Sequence, residues 1–88
     1  MAHHKDAIKR QRQNEERRLR NRGYRTRMRN QIRKVRAAVD AGDHATASTE
    51  LAVAVKIIDR VAGKGIIHRK NAARRVSRLT RAVNAIQG

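Results

Sequence analysis

The sequence predicts an all-α fold, a three-helix bundle with a long, projecting, arginine-rich first helix. The chain contains no proline, and its apolar residues recur at intervals of three and four, which is the period of one face of a helix. Its β-branched residues do not alternate with polar ones, as they would in a half-buried strand. Glycines interrupt the pattern twice, so we expect a single three-helix domain, 1–88, with helices at about 5–41, 44–62 and 67–86.

The first predicted helix has an apolar face only near its carboxyl end. That stripe consists of Met28, Ile32, Val35 and Val39. Residues 5–41 as one helix would be about 55 Å long, whereas a compact domain of this size has a radius of gyration of about 12 Å. We therefore expect the amino-terminal half to project, or to be disordered until bound. Arginines at i and i+4 repel each other, so we also expect fraying in the free protein.

A glycine and an aspartate predict the turn between the first two helices. Gly42 suits the left-handed position that ends a helix, and Asp43 suits the N-cap of the next one. The apolar face of the second helix consists of Ala47, Leu51, Ala54, Ile58 and Val61.

Gly63 and Gly65 end the second helix, because paired glycines give the backbone a freedom that helix interiors avoid. The apolar face of the third helix consists of Ala72, Val76, Leu79, Val83 and Ile86. Short connections make neighbouring helices antiparallel, so the three apolar faces should meet in one core.

The distribution of charge divides the chain into three parts. Its 23 lysines and arginines and 7 acidic residues give a net charge of +16. Residues 1–36 carry +11 of this charge, residues 37–63 carry −2, and residues 64–88 carry +7. So large an excess favours strong attraction to nucleic acid or to an anionic membrane.

The first basic stretch surrounds its helix instead of following one face. A solvated surface helix would mix both signs of charge, and a helix lying on a membrane would have an apolar face opposite the basic one. A helix in a crevice of folded RNA would meet phosphates on several sides. The pattern therefore predicts contact with structured RNA through basic residues that include Arg17, Arg18, Arg25 and Arg29.

The second basic patch surrounds the predicted start of the third helix. Helix amino termini offer free N–H groups and a positive dipole end to an anion, so we expect a phosphate site here. The patch consists of Lys64, His68, Arg69, Lys70, Asn71, Arg74, Arg75 and Arg78. Tyr24 is the only aromatic residue, so recognition should depend on the RNA backbone and its shape, not on base stacking.

Composition and spacing argue against several other functions. There is no cysteine, which removes disulfides, thiolate metal sites and cysteine nucleophiles. The longest apolar run, residues 51–55, is far shorter than the roughly 20 residues that cross a bilayer. The histidines lack the spacing of a metal site, and Asp40 and Asp43 have no nucleophile beside them. We therefore expect no enzyme activity, cofactor, metal, small-molecule substrate, membrane span or targeting signal.

Several short motifs together resemble one protein family, that of the bacterial small-subunit ribosomal protein conventionally numbered twenty. The similarity covers essentially the whole chain. It is strongest in the segments Lys64-Gly65-Ile66-Ile67-His68, Asn71-Ala72-Ala73-Arg74, Ser77-Arg78-Leu79 and Ala37-Ala38-Val39-Asp40-Ala41-Gly42-Asp43. The start of the chain, with Lys5, Ala7 and Lys9-Arg10, is also similar.

The resemblance implies a cytoplasmic, ribosomal protein of three helices that binds 16S ribosomal RNA directly, early in assembly of the small subunit. Its implied partners are the 5′ domain, the long RNA helix near the decoding region and other small-subunit components. The RNA contacts that the resemblance implies are Lys5, Lys9, Arg10, Arg17, Arg18, Asn21, Lys34, Lys64, His68, Asn71, Arg74 and Arg78. The charge pattern adds Arg25, Arg29 and Arg69 to these candidates.

Charge alone leaves alternatives open. A disordered basic tail of unspecific affinity would have a similar composition, and so would a DNA-compacting, histone-like protein. Comparable affinity for duplex DNA and structured RNA would favour the histone-like alternative. A membrane-surface or partner-binding helix would need an apolar face upstream of Met28, and the sequence has none there.

Overall fold

Three α-helices connected by short turns make up the structure, a computed structural model that describes residues 3–86. The helices are α1 (His3–Asp40), α2 (His44–Gly63) and α3 (Arg69–Ala85), and no strand occurs among the described residues. The predicted all-α fold with a long first helix is confirmed. α1 and α2 pack against each other, and α3 packs against both.

Both turns are built in the same way, around a glycine in the left-handed conformation. Gly42 has a φ of 71° and Gly65 a φ of 76°. After α1, the Asp43 N–H donates to the Ala38 carbonyl at 2.9 Å. After α2, the Ile66 N–H donates to the Val61 carbonyl at 3.1 Å. These bonds define the Schellman motif, which ends a helix sharply and turns the chain back.

Asp43 also begins α2, as its position predicts. Its carboxylate oxygen Oδ1 accepts a hydrogen bond from the Thr46 N–H at 3.1 Å. Hydrogen bonding to Thr46, through its side chain and its backbone, lowers the pKa of Asp43 below its usual 3.8. The ionised form of this carboxyl therefore caps the helix best.

The core is a thin layer at the bundled end of the molecule, where the predicted apolar faces meet. The predicted residues Val39, Leu51, Val76 and Ile86 lie at its edge, partly buried. Two buried apolar residues, Ala38 and Ile66, were not predicted; Ile66 is drawn inward by the Schellman turn. The buried apolar residues are Met28, Ile32, Val35, Ala38, Ala47, Ala54, Ile58, Val61, Ile66, Ala72, Leu79 and Val83.

One buried polar side chain, Gln31, joins α1 to α2. Its Nε2 group donates to the Glu50 carboxylate at 2.6 Å and to the Glu50 backbone carbonyl at 3.0 Å. No side-chain polar atom in the described part of the chain is buried without a partner. This contact therefore fixes the position of α2 along α1 without leaving a polar group unsatisfied.

The amino-terminal part of α1 extends well beyond the bundle. The molecule measures 67 × 21 × 14 Å, and its radius of gyration is 17.7 Å, against about 12 Å for a compact chain of this length. Every residue from Lys5 to Arg20 is exposed. We call residues 5–20 the projecting segment; as a helix it is about 24 Å long.

Candidate nucleic-acid interface

The projecting segment presents positive charge on most sides of its axis, apart from the side that carries Ile8, Glu15 and Leu19. Lys5, Lys9, Arg10, Arg17 and Arg18 are all exposed on it. With about 3.6 residues per turn, Lys9 and Arg18 lie on opposite sides, while Arg10 and Arg17 share one side. The segment can therefore contact phosphates on several sides at once, but it contributes nothing to the core.

One ion pair occurs among the described residues, and it lies on the projecting segment. The Arg18 guanidinium contacts the Glu15 carboxylate at 2.7 Å, with 75% and 55% of the two side chains exposed. Such exposed pairs contribute little to stability. Arg18 can therefore exchange this carboxylate for a phosphate at small cost.

Two of the predicted RNA contacts, Arg25 and Lys64, lie where α1 packs against the turn between α2 and α3. The Arg25 Nη2 group donates to the Ile66 carbonyl at 3.1 Å. The Lys64 ammonium lies over the ring of Tyr24, 5.1 Å from its centre. Together these contacts hold the turn between α2 and α3 against α1. Each cation still has unused donors, because a guanidinium has five and an ammonium three.

His68 is the N-cap of α3. Its ring nitrogen Nδ1 accepts a hydrogen bond from the Lys70 N–H at 3.0 Å. A neutral imidazole that accepts at Nδ1 carries its proton on Nε2, and the side chain is exposed. The cap therefore uses one of the free N–H groups expected to bind an anion, and it leaves the Nε2–H group free to donate outward.

A groove between α1 and α3 brings three predicted contacts together with two further arginines. The α1–α3 groove has a volume of about 200 Å³. Ile32 and Leu79 form its apolar floor. Its polar lining consists of Arg36 from α1 and Asn71, Arg74, Arg75 and Arg78 from α3. No acidic residue lines it.

The remaining predicted contacts lie apart from this groove. Lys34 lines a second groove, between α1 and α2. Arg69 lines a third one, between α2 and α3, together with Asp59. Arg29 is exposed on α1, and Asn21 is half-buried. The structure thus separates the predicted residues into several surfaces instead of one site.

A row of arginines along α1 connects the projecting segment with the α1–α3 groove. Five arginines of α1 succeed one another at steps of four, three, four and seven residues, so they lie along one side of the helix. That side faces the turn between α2 and α3 at Arg25 and the α1–α3 groove at Arg36. The members of this arginine row are Arg18, Arg22, Arg25, Arg29 and Arg36.

Several contacts at the interface could not be found from the sequence. The charge pattern included Arg36 in the first basic stretch and Arg75 in the second patch, but it gave no sign that they face each other across a groove. Gln31, with its bond to Glu50, has no sequence signature. The signal for Ile66 was present, because an apolar residue after a helix-ending glycine commonly packs back on the helix.

The described residues contain neither a cluster of metal-ligating side chains nor a membrane-spanning helix. No group of three or more His, Asp or Glu side chains there is arranged to hold a metal ion. No helix in residues 3–86 is long and apolar enough to cross a membrane.

Comparison with known proteins finds similarity to one family, both by family model and by individual relatives. Residues 2–84 match the family model described as ribosomal protein S20. The chain is 50% identical over 86 residues to the small ribosomal subunit protein bS20 of Syntrophobacter fumaroxidans, covering 98% of this chain and 100% of that protein. It is 57% identical over 84 residues to the protein of the same name from Solidesulfovibrio magneticus, covering 96% and 94%. Against that of Desulfatibacillum aliphaticivorans it is 47% identical, with both chains fully covered.

Proposed function

The chain belongs to the ribosomal protein S20 family, and we propose that it binds 16S ribosomal RNA directly and stabilises the folded RNA as the small subunit assembles. Proteins of this family are ribosomal proteins of the small subunit and not enzymes. The proposed partners within the RNA are the 5′ domain and the long helix near the decoding region, as the family resemblance implies.

The observation that carries the proposal is the arrangement of charge on the folded chain. The projecting segment is exposed on all sides, and the arginine row leads from it to the α1–α3 groove. Residues 37–63, which include α2, carry a net charge of −2. Positive charge therefore lies on α1 and α3, whereas the surface of α2 is nearly neutral.

Binding in this proposal works by neutralising phosphates. The projecting segment enters a crevice of the RNA, and the α1–α3 groove with the start of α3 contacts a second RNA segment. The two segments repel each other electrostatically, and a cationic protein between them offsets that repulsion. The proposed contacts are the predicted residues at these surfaces, with Arg25 and Lys64 also holding the turn before α3 in place.

Recognition in this proposal depends on shape and on the RNA backbone. The only aromatic residue, Tyr24, is half-buried beneath Lys64. It offers no open surface on which a base could stack. Two cationic surfaces, separated along α1 once its amino-terminal half is ordered, would instead select RNA folds whose phosphates lie at the matching distance.

The experiment that tests the proposal is the salt dependence of binding to 16S ribosomal RNA. If about eight phosphates are neutralised, the logarithm of the binding constant should fall with the logarithm of salt concentration at a slope of about −6 to −7. A slope near −2 would contradict the mechanism. Equal affinity for duplex DNA at physiological salt would instead favour the histone-like alternative.

A further inference from the structure

The α1–α3 groove concentrates positive charge that the surrounding protein does not balance. Four arginines from two helices line it, and no carboxylate does. Like charges that face one another across a groove repel and weaken the packing of the two helices. An anion in the groove would reduce this repulsion. In the free protein the charges of these arginines are not neutralised by any residue that lines the groove.

The guanidinium donors in the groove are available, and one of the four groups is held in place by a hydrogen bond. The Arg75 Nε group donates to the Asn71 Oδ1 atom at 2.8 Å, which holds that guanidinium along α3 and leaves its terminal N–H groups free. Arg36, Arg74 and Arg78 have no hydrogen-bond or ion-pair partner among the described residues. Guanidinium groups bind phosphate oxygens through paired, parallel N–H donors.

The floor of the groove strengthens any charge interaction above it. Ile32 and Leu79 are 8% and 2% exposed, so an anion in the groove would lie beside apolar side chains, although Arg36, Arg74 and Arg78 are themselves exposed. A hydrogen bond to an anion is electrostatically stronger at such an apolar surface than in open solvent. The groove therefore differs from the projecting segment, where no buried apolar residue lies beside the cations.

We propose that the α1–α3 groove is a subsite for one phosphodiester group of the RNA backbone, held by Arg36 from α1 and by Arg74 and Arg78 from α3. The proposal rests on the proposed function and adds to it a defined place for one phosphate. Because the anion contacts two helices at once, it also joins α1 to α3. Phosphate binding at this subsite is therefore coupled to the stability of the bundle.

Thermal unfolding with inorganic phosphate as the probe tests the subsite without RNA. The full chain is melted in sodium phosphate and in sodium chloride at matched ionic strength, so that screening is the same in both. The wild-type Tm should be higher in phosphate by about 5 °C or more once phosphate exceeds half-saturation tenfold. Arg36→Gln should lose most of this difference. Arg60→Gln, the control on α2 with the same change of charge, should keep it.

Binding to 16S ribosomal RNA then tests whether the phosphate comes from RNA. Arg36→Gln should lower the affinity at physiological salt about 10-fold and make the salt slope less steep by about 0.9, whereas Arg60→Gln should change neither. The subsite is refuted if Arg36→Gln keeps the Tm difference in phosphate or the wild-type salt slope. A wild-type protein without preference for 16S ribosomal RNA would overturn the proposed function and the RNA source of the phosphate, while the phosphate titration would still decide whether the groove binds an anion.

Discussion

Two leucines of the same chain, Leu79 and Leu19, allow a controlled test of where the core lies. Leu79 is 2% exposed in the bundle, and Leu19 is 56% exposed on the projecting segment. Both lie inside helices, so substitution by alanine changes helix propensity equally in the two places. A difference between Leu79→Ala and Leu19→Ala therefore measures burial.

The magnitude of the Leu79→Ala effect follows from that burial. Removal of a fully buried leucine side chain loses about 1.5–3 kcal/mol of transfer free energy, and the cavity left behind raises the total to about 2–5 kcal/mol. A domain of this length has a stability of only about 4–13 kcal/mol. At about 4–8 °C per kcal/mol, a loss of 3 kcal/mol would lower the Tm by about 12–24 °C.

The assay is thermal and denaturant unfolding of both variants, followed by circular dichroism. Leu19→Ala should change the free energy of unfolding by less than about 0.5 kcal/mol. An unchanged Tm for Leu79→Ala would refute the assignment of the core. An equal loss in both variants would show that the projecting segment packs against something in the free protein.

Three further predictions concern the turns, the projecting segment and the cap. Gly42→Ala should destabilise the protein by about 1–2 kcal/mol, because φ is 71° there. Gly23→Ala should instead stabilise it by about 0.5–1 kcal/mol, since Gly23 lies within α1 and an added Cβ would meet nothing within 4 Å. Chemical denaturation measures both free energies of unfolding, and changes of the same sign would contradict the turn geometry. The double variant Arg17→Glu with Arg18→Glu should abolish most binding to 16S ribosomal RNA in a filter-binding assay and leave the Tm nearly unchanged. A parallel loss of folding would mean that these exposed residues belong to the core. The folded-state pKa of Asp43 is lowered from 3.8, so its contribution to stability is fully present above that value and is lost as pH falls through the lower folded-state pKa. Asp43→Asn should keep the cap but remove this acid dependence from a plot of Tm against pH, and an identical pH profile in the variant would refute the assignment.

The parts of the fold that depend on local chemistry could be predicted from the sequence. Steps of three and four residues identified the buried face of each helix, because the α-helical period alone decides which side chains share a side. Gly42 and Asp43 predicted a turn for the same kind of reason, since only certain residues suit a left-handed position or an N-cap. The projection of α1 followed from comparing its length with the size of a compact domain.

Contacts between helices could not be predicted, because periodicity gives a face but not the neighbour that the face meets. Nothing in the sequence indicates that Arg25 reaches the Ile66 carbonyl, or that Arg36 lies across a groove from the arginines of α3. These contacts depend on how the helices cross and on where each turn ends. His68 was expected to face an anion, and the structure gives it the additional role of capping α3.

Competitive binding to 16S ribosomal RNA tests the central claim most directly. The protein is titrated against labelled 16S ribosomal RNA at physiological salt, with transfer RNA and duplex DNA in large excess. Retained affinity in the nanomolar range is the predicted result, because two cationic surfaces connected by α1 should select one folded RNA over other polyanions. Loss of binding to either competitor would contradict the account, since it would mean that the basic surfaces recognise negative charge and not the shape of the ribosomal RNA.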